Sequence, residues 1–357
     1  MHILDNLEKI GKIDPEDMYH KIIHLPEQVM KAYHEDTVRI PPHLTKIKKS
    51  DIKRVVMCGM GGSAIAGDIA KAAFGRKIAF EVIKDYEIPW LDRNTLVVVT
   101  SYSGDTEETL SCLIQAVKNT DHIAAITSGG KIEQIVDGKY RWVKVPAGKP
   151  PRTAIAYLFF SAMKILEEFM IIPDHSETVK VLIANLVQKA GAIAQENPLE
   201  KNLAKNTALE IKGKIPVIYA EDPQLEPIAY RWKCQINENA KHPAYSLTFP
   251  EMNHNEIESW EKPDNPDNII PVFIQRFKQE HNYRKRINAV KTFFKQMKIS
   301  YLEFFVEGDK LIEQIFSLIY LGDMVSFYLA ILNDVDPTRI DLIKTLKEKI
   351  KQKKREK

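Results

Sequence analysis

Cysteine is scarce in this chain. The three among 357 residues, Cys58, Cys112 and Cys234, are odd in number, and no two form a C-x-x-C pair. That spacing excludes a disulfide framework and a zinc ribbon, and predicts reduced core thiols in a cytoplasmic protein. Long uninterrupted apolar runs are missing too. The most tempting stretch, Leu311 to Leu332, carries Glu313, Gln314 and Asp323, so it reads as a buried core helix, and the N-terminus lacks the pattern of a signal peptide. No membrane partner is expected. No G-x-x-x-x-G-K-S/T loop occurs, which excludes a Walker nucleotide site. A dinucleotide site fits poorly: the glycines at 59, 61 and 62 do not follow G-x-G-x-x-G, and Lys84 and Asp85 are the only charges near the end of the second strand. No second histidine or cysteine stands at ligand spacing from His254, so no metal is expected. The net charge is only +3, and much of the basic excess lies in the tail Lys347 to Lys357, which has no interleaved aromatic residue. With no helix-turn-helix signature either, nucleic acid is not expected as a partner.

What is present is the material of an α/β protein. A hydrophobic content of 44% over this length can bury sizeable cores and suggests two domains. Strand-like runs at Val55 to Met57, Ala79 to Lys84, Thr95 to Thr100, His122 to Thr127 and Trp142 to Val145 alternate with helical patterns at Ile65 to Phe74, Glu107 to Lys118 and Lys131 to Val136. Such alternation predicts a doubly wound parallel sheet. The second half repeats the logic more loosely. Its strands are expected at Ile215 to Ala220, Ala244 to Phe249, Ile269 to Ile274 and Ser300 to Val306, and its helices at Glu226 to Glu238, Asn282 to Met297 and Lys310 to Leu332. The expected division is a helical lead-in over 1–48, a first domain over 49–170, a helical connector over 171–198, a second domain over 199–335, and a C-terminal helix with its basic tail over 336–357.

Two strand-to-helix junctions carry the first chemical signal. After Leu96-Val97-Val98-Val99 comes Thr100-Ser101-Tyr102-Ser103-Gly104-Asp105-Thr106-Glu107-Glu108-Thr109. Hydroxyls of Ser101, Ser103 and Thr106 beside the unpaired N–H groups of a helix start would cradle a phosphate monoester. The same residues also suit a serine-rich N-cap with acidic support in the first turn. The earlier junction, Cys58-Gly59-Met60-Gly61-Gly62-Ser63, lets the backbone turn sharply and approach a ligand, with Ser63 offering one more hydroxyl.

Further candidates lie outside these loops. Arg152 sits between Pro150-Pro151 and an apolar helix, and reads either as a solvated loop cation or as a fixed charge at a site. Asn237-Glu238-Asn239-Ala240-Lys241 puts an acid at a helix C-terminus, where the dipole favours a cation. Glu238 is therefore either a solvated glutamate paired with Lys241 or a base suited to abstracting a proton α to a carbonyl. His254, flanked by Asn253 and Asn255, reads as a polar-loop histidine whose tautomer the asparagines can fix.

The two hydroxyl and glycine loops resemble the phosphosugar loops of the sugar isomerase (SIS) domain. Pro151-Arg152-Thr153-Ala154, Asn237 to Lys241 and Asn253-His254-Asn255-Glu256 resemble the signature segments of the bifunctional phosphoglucose/phosphomannose isomerases. The resemblance runs from about Val55 to Lys347. One departure is Asp105, where the family commonly has asparagine; an added carboxylate would repel phosphate, so Asp105 is expected to point away or cap a helix. The resemblance implies two tandem SIS-type doubly wound sheets, each an αβα sandwich, and an aldose–ketose isomerase of fructose 6-phosphate without cofactor or metal. It implies phosphate binding by Gly62, Ser63, Ser101, Ser103 and Thr106, proton transfer by Glu238, charge stabilisation by Arg152 and ring opening by His254. Thr338 and Lys347 are the nearest matches to the family's C-terminal site residues. It further implies a homodimer in which His254 crosses the interface. The other classes are a non-catalytic sugar-phosphate regulator, which would usually carry a DNA-binding domain, and another SIS enzyme such as the isomerase half of an amidotransferase. The latter is not expected, because the chain opens Met1-His2 without a cysteine nucleophile.

Overall fold

The computed structural model describes residues 2–35, 38–44, 51–261, 266–277, 280–306 and 308–355. Three short helices, α1 (Leu7–Ile13), α2 (Met18–Ile23) and α3 (Leu25–Met30), form the lead-in. Their ends are fixed by side chains: Asn6 Oδ1 accepts the Lys9 N–H, and the Asp14 carboxylate accepts those of Met18 and Tyr19 at 2.7 and 2.9 Å.

The first sheet is built from β1 (Arg54–Cys58), α4 (Gly62–Phe74), β2 (Ala79–Ile83), β3 (Thr95–Ser101), α5 (Glu107–Asn119), β4 (Ile123–Thr127), α6 (Gly130–Val136) and β5 (Arg141–Lys144). All strands are parallel, in the order β2-β1-β3-β4-β5. The apolar β-branched runs of β3 and β4 are buried along their whole length, as parallel strands covered on both faces must be. Helices α7 (Ile155–Glu168) and α8 (Ser176–Ile193) lead to the second half. There α9 (Leu203–Ile211), β6 (Ile215–Ala220), α10 (Glu226–Ala240), β7 (Tyr245–Thr248), β8 (Ile269–Arg276), α11 (His281–Gln296), β9 (Leu302–Val306), α12 (Leu311–Leu332) and α13 (Asp341–Arg355) follow. This sheet is parallel as well, ordered β7-β6-β8-β9. The expected α/β class, with two parallel sheets and a C-terminal helix, is what the structure has.

Helix α9 was not expected between the connector and β6. Its signals are polar: Asn202 accepts the N–H groups of Ala204 and Lys205, and the fully buried Lys205 places its ammonium on Asp5 Oδ1 and the carbonyls of Gln195 and Asn197 at 2.7–3.0 Å. A lysine in the core hides the apolar face that periodicity looks for. Among the described residues, α12 alone is long and apolar enough to cross a membrane, and 89% of its apolar window is buried. Asp323, which interrupts it, receives Arg231 bidentately at 3.1 and 2.6 Å. Helix α10 lies so close to α12 that a Cβ at Gly322 would stand 2.1 Å from Trp232 Nε1, which donates to the Leu318 carbonyl at 2.8 Å. Any side chain at Gly322 would push α10 away. Arg231 and Trp232 thus pin the helix that carries Glu238.

Candidate active site

In each sheet the first and third strands lie side by side while their crossover helices depart to opposite faces. The carboxyl ends of β1 and β3 therefore flank a topological switch point, where open parallel sheets bind ligands. The loop after β1 turns at Gly61, with φ of +53°, and α4 starts without a side-chain cap. The loop after β3 ends at Thr106, which stands at the N-cap of α5 without a side-chain capping bond. The serine-rich capping alternative is thereby removed for this helix start. Instead, the Ser101 hydroxyl donates to Thr106 Oγ1 at 3.0 Å and accepts the Gly104 N–H at 3.1 Å, while Ser103 Oγ accepts the Asp105 N–H at 3.3 Å. Ser101 and Ser63 are buried and Ser103 is exposed. Asp105 turns its carboxylate to the Lys131 N–H in the first turn of α6, away from its own helix start, at 3.2 Å.

The two loops touch each other and the Pro151–Arg152 turn. A Cβ at Gly59 would lie 2.9 Å from the Thr100 carbonyl, and one at Gly62 would lie 3.3 Å from the Pro151 carbonyl and 3.7 Å from Arg152 Cα. Arg152, read from sequence as loop or site, is 4% exposed and spans the two halves of the chain. Its Nε donates to Asn239 Oδ1 at 2.7 Å, and its Nη2 to the carbonyls of Pro337 and Thr338 at 2.7 and 3.0 Å. Nη1 lies 3.6 Å from Glu238 Oε2 and makes no hydrogen bond among the described residues. Burial lowers the Arg152 pKa while Glu238 opposes the shift; a guanidinium remains charged throughout the working range.

Glu238 is not paired with Lys241 through its carboxylate. Lys241 instead donates to the main-chain carbonyls of Glu238 and Asn239, and the Glu238 side chain faces Arg152 with about a third of its surface open. The backbone of Thr338 joins the constellation through Arg152, and its hydroxyl is buried without a partner among the described residues. Two other residues singled out from sequence are elsewhere. His254 ends a 3-10 turn (Glu251–His254) after β7, exposed and without a hydrogen bond or ion pair among the described residues. Neither neighbouring asparagine fixes its ring: Asn253 Nδ2 contacts Met252 Sδ and Asn255 Nδ2 donates to Glu251. Lys347 is exposed on α13. Sequence reasoning passed over Asn239 and offered Lys241 only as a partner for Glu238, though both lie in the segment that identified Glu238.

Glycine and hydroxyl loops at the switch point of one parallel sheet, meeting an arginine of the same half that faces a glutamate on a helix of the second, define a double SIS-domain protein. The SIS domain model matches residues 49–158, and that of the bacterial phospho-glucose isomerase C-terminal SIS domain matches 200–350. The chain is 36% identical over 340 residues to the bifunctional phosphoglucose/phosphomannose isomerase of Caldicellulosiruptor bescii, covering 93% of this chain and 98% of that one. It is 32% identical over 261 residues to the D-glucosamine-6-phosphate 4-epimerase of Sulfolobus acidocaldarius, covering 72% and 79%. A hypothetical protein from Thermus thermophilus shares the fold with a TM-score of 0.71 at 16% identity, over 96% of this chain and 93% of that one. The chain belongs to the bifunctional phosphoglucose/phosphomannose isomerase family.

Proposed function

We infer that this protein is an aldose–ketose isomerase that interconverts fructose 6-phosphate with glucose 6-phosphate and mannose 6-phosphate. The observation that carries the reading is the approach of Glu238 to Nη1 of the buried Arg152, beside the turn at Gly62. Gly62, Ser63, Ser101, Ser103 and Thr106 hold the phosphate, so that a remote group positions carbons 1 and 2. Thr106 and the α5 start are free of side-chain capping, which suits an anion there. His254 assists ring opening. Glu238 removes the proton from one carbon and returns it to its neighbour, while Arg152 Nη1 stabilises the cis-enediolate between the two steps. Return of the proton to either face of C2 gives the two aldose epimers. Thr338 and Lys347 complete the substrate contacts. The chemistry calls on no cofactor, and the free cysteines suit the cytoplasm.

The 4-epimerase relative favours a second reading on a specific ground, since an acid and an arginine beside a sugar phosphate serve other proton transfers equally well. One assay separates them: offer fructose 6-phosphate and glucosamine 6-phosphate, and resolve the products. Glucose 6-phosphate with mannose 6-phosphate from the former supports the isomerase. An amino-sugar epimer alone supports the second reading, and turnover of neither leaves a binding protein.

The working form in this reading is a homodimer, with His254 acting in the partner's site. Its support is that His254 is exposed and that α13 turns Leu342, Leu346 and Ile350, four residues apart, to the outside at 87%, 60% and 51% exposure. Mixing inactive Glu238→Gln with inactive His254→Ala under conditions of subunit exchange should restore about a quarter of wild-type activity, because each mixed dimer holds one intact site. No recovery despite verified exchange would refute the sharing.

A further inference from the structure

Helix α10 ends on a lysine in a conformation that favours glycine. Lys241 has φ of 51° and ψ of 39°, and its N–H donates to the Ile236 carbonyl, a position where glycine is the default residue. The strain has an evident return. Although the residue as a whole is exposed, its ammonium is turned onto three carbonyls, those of Glu238 at 3.0 Å, Asn239 at 3.3 Å and Asp336 at 2.5 Å. The first two belong to the end of α10. The third belongs to the turn whose next two carbonyls, of Pro337 and Thr338, receive Arg152 Nη2, a turn closed by the Thr338 N–H on Asp336 Oδ1 at 2.7 Å. Both members of the Arg152–Glu238 pair are therefore anchored to elements that Lys241 joins.

We propose that Lys241 is a positioning residue of the isomerase site, a clamp between the end of α10 and the Asp336–Thr338 turn that fixes Glu238 relative to Arg152. The inference rests on the isomerase reading. Four charged groups face the ammonium: Arg152 from the turn after β5, Glu238 from its own helix, Asp336 from the clamped turn and Asp341 from the start of α13. Burial first and Arg152 second push Lys241 down to about 8, against the pull of the three carboxylates. A neutral amine has two hydrogens for three carbonyls, so the clamp loosens as pH rises through that value. The stability linkage has the opposite sign. The unfolded lysine keeps its proton to higher pH than the folded one, so this group's contribution to stability increases as pH rises between the two values. An alkaline loss of turnover through Lys241 is thus distinct from unfolding.

An ordinary capping cation would be replaceable by glycine, which relieves the strain and closes the helix equally well. The test compares Lys241→Gly, Lys241→Met and Lys241→Arg for kcat and KM with fructose 6-phosphate, for the pH profile of kcat, and for Tm. We expect Gly and Met to lower kcat about ten- to a hundred-fold, the cost of a small misplacement of reacting groups, with KM changed less than about three-fold. Gly should keep or raise Tm, Met should lose the alkaline limb near pH 8, and Arg should restore part of kcat. Wild-type kcat in the Gly variant, or losses of kcat that only follow Tm, overturns the clamp. Failure of the wild type to isomerise fructose 6-phosphate would instead overturn the functional reading.

Discussion

Replacing Glu238 by glutamine tests the proton-transfer role most directly, because its structural and kinetic consequences differ in size. The carboxylate lies 3.6 Å from Arg152 Nη1 and its side chain is 32% exposed. Solvent screening at that exposure limits the ion pair to about 1 kcal/mol, so Glu238→Gln should shift stability by no more than this. Arg152 keeps its hydrogen bonds to Asn239, Pro337 and Thr338, so the guanidinium stays in place. Loss of a positioned general base costs roughly a hundred- to ten-thousand-fold in rate, or about 3–5 kcal/mol on the barrier. The variant should therefore bind fructose 6-phosphate nearly as well as the wild type, unfold at nearly the same temperature, and turn over orders of magnitude more slowly. Exchange of the C2 proton of glucose 6-phosphate with solvent should fall in parallel with turnover. Exchange at the wild-type rate would assign the base to another residue, and a large drop in Tm would show that the carboxylate is structural.

Other consequences are equally measurable. Ser101→Ala removes both the Thr106 contact and the acceptor for the Gly104 N–H, and should raise KM for fructose 6-phosphate by about one to two decades; an unchanged KM would place the cradle elsewhere. At Gly104, with φ of +75°, a Cβ would fall 1.8 Å from the Gly129 carbonyl. Gly104→Ala should cost at least about 2 kcal/mol in chemical denaturation, and a smaller loss would show that the backbone at Gly129 can retreat. Burial raises Glu221 from 4.5 to about 7, with the Arg276 N–H opposing and Asp222 reinforcing the shift. Its contribution to stability is full below about 4.5 and lost as pH rises through about 7. Glu221→Gln should accordingly be near neutral at acid pH and stabilising by up to about 3 kcal/mol at pH 8, and equal offsets at both would refute the assignment.

The central strands β3, β4 and β8 were legible because they are parallel and covered on both faces, so their apolar runs declare themselves without tertiary context. Pairwise chemistry across long separations was not. Arg152 read ambiguously because its acceptors lie at Asn239, Pro337 and Thr338, far along the chain, and no local rule reports them. The pairing of Lys241 with Glu238, one of two readings open for that segment, does not form through the carboxylate; the left-handed turn at Lys241 directs the ammonium to the main chain instead. The asparagines beside His254 illustrate the reverse error. Adjacency in sequence suggested a contact that the 3-10 turn directs elsewhere.

The two sheets share one strand logic, yet they differ in what fills each switch point. At β1 and β3 the chain supplies glycines and hydroxyls, and the helix starts are left without side-chain caps. The equivalent position between β6 and β8 is closed by charge. Glu221 and Asp222 follow β6, both buried, and Arg276 ends β8. The Arg276 guanidinium forks onto the Asp222 carboxylate, and the Arg276 main-chain N–H donates to Glu221 Oε2 at 2.6 Å. The Asp222 carboxylate there repels a phosphate dianion, and Arg276 is already engaged on it. The second sheet serves as the mount for α10. That helix leaves the closed switch point at Glu226, is held against α12 by Arg231 and Trp232, and ends with Glu238 beside the Arg152 of the first half. Two sheets of like topology thus meet at one arginine–glutamate contact: the first bears the glycine and hydroxyl loops, and the second, its own switch point filled by charge, mounts the helix that carries the acid across.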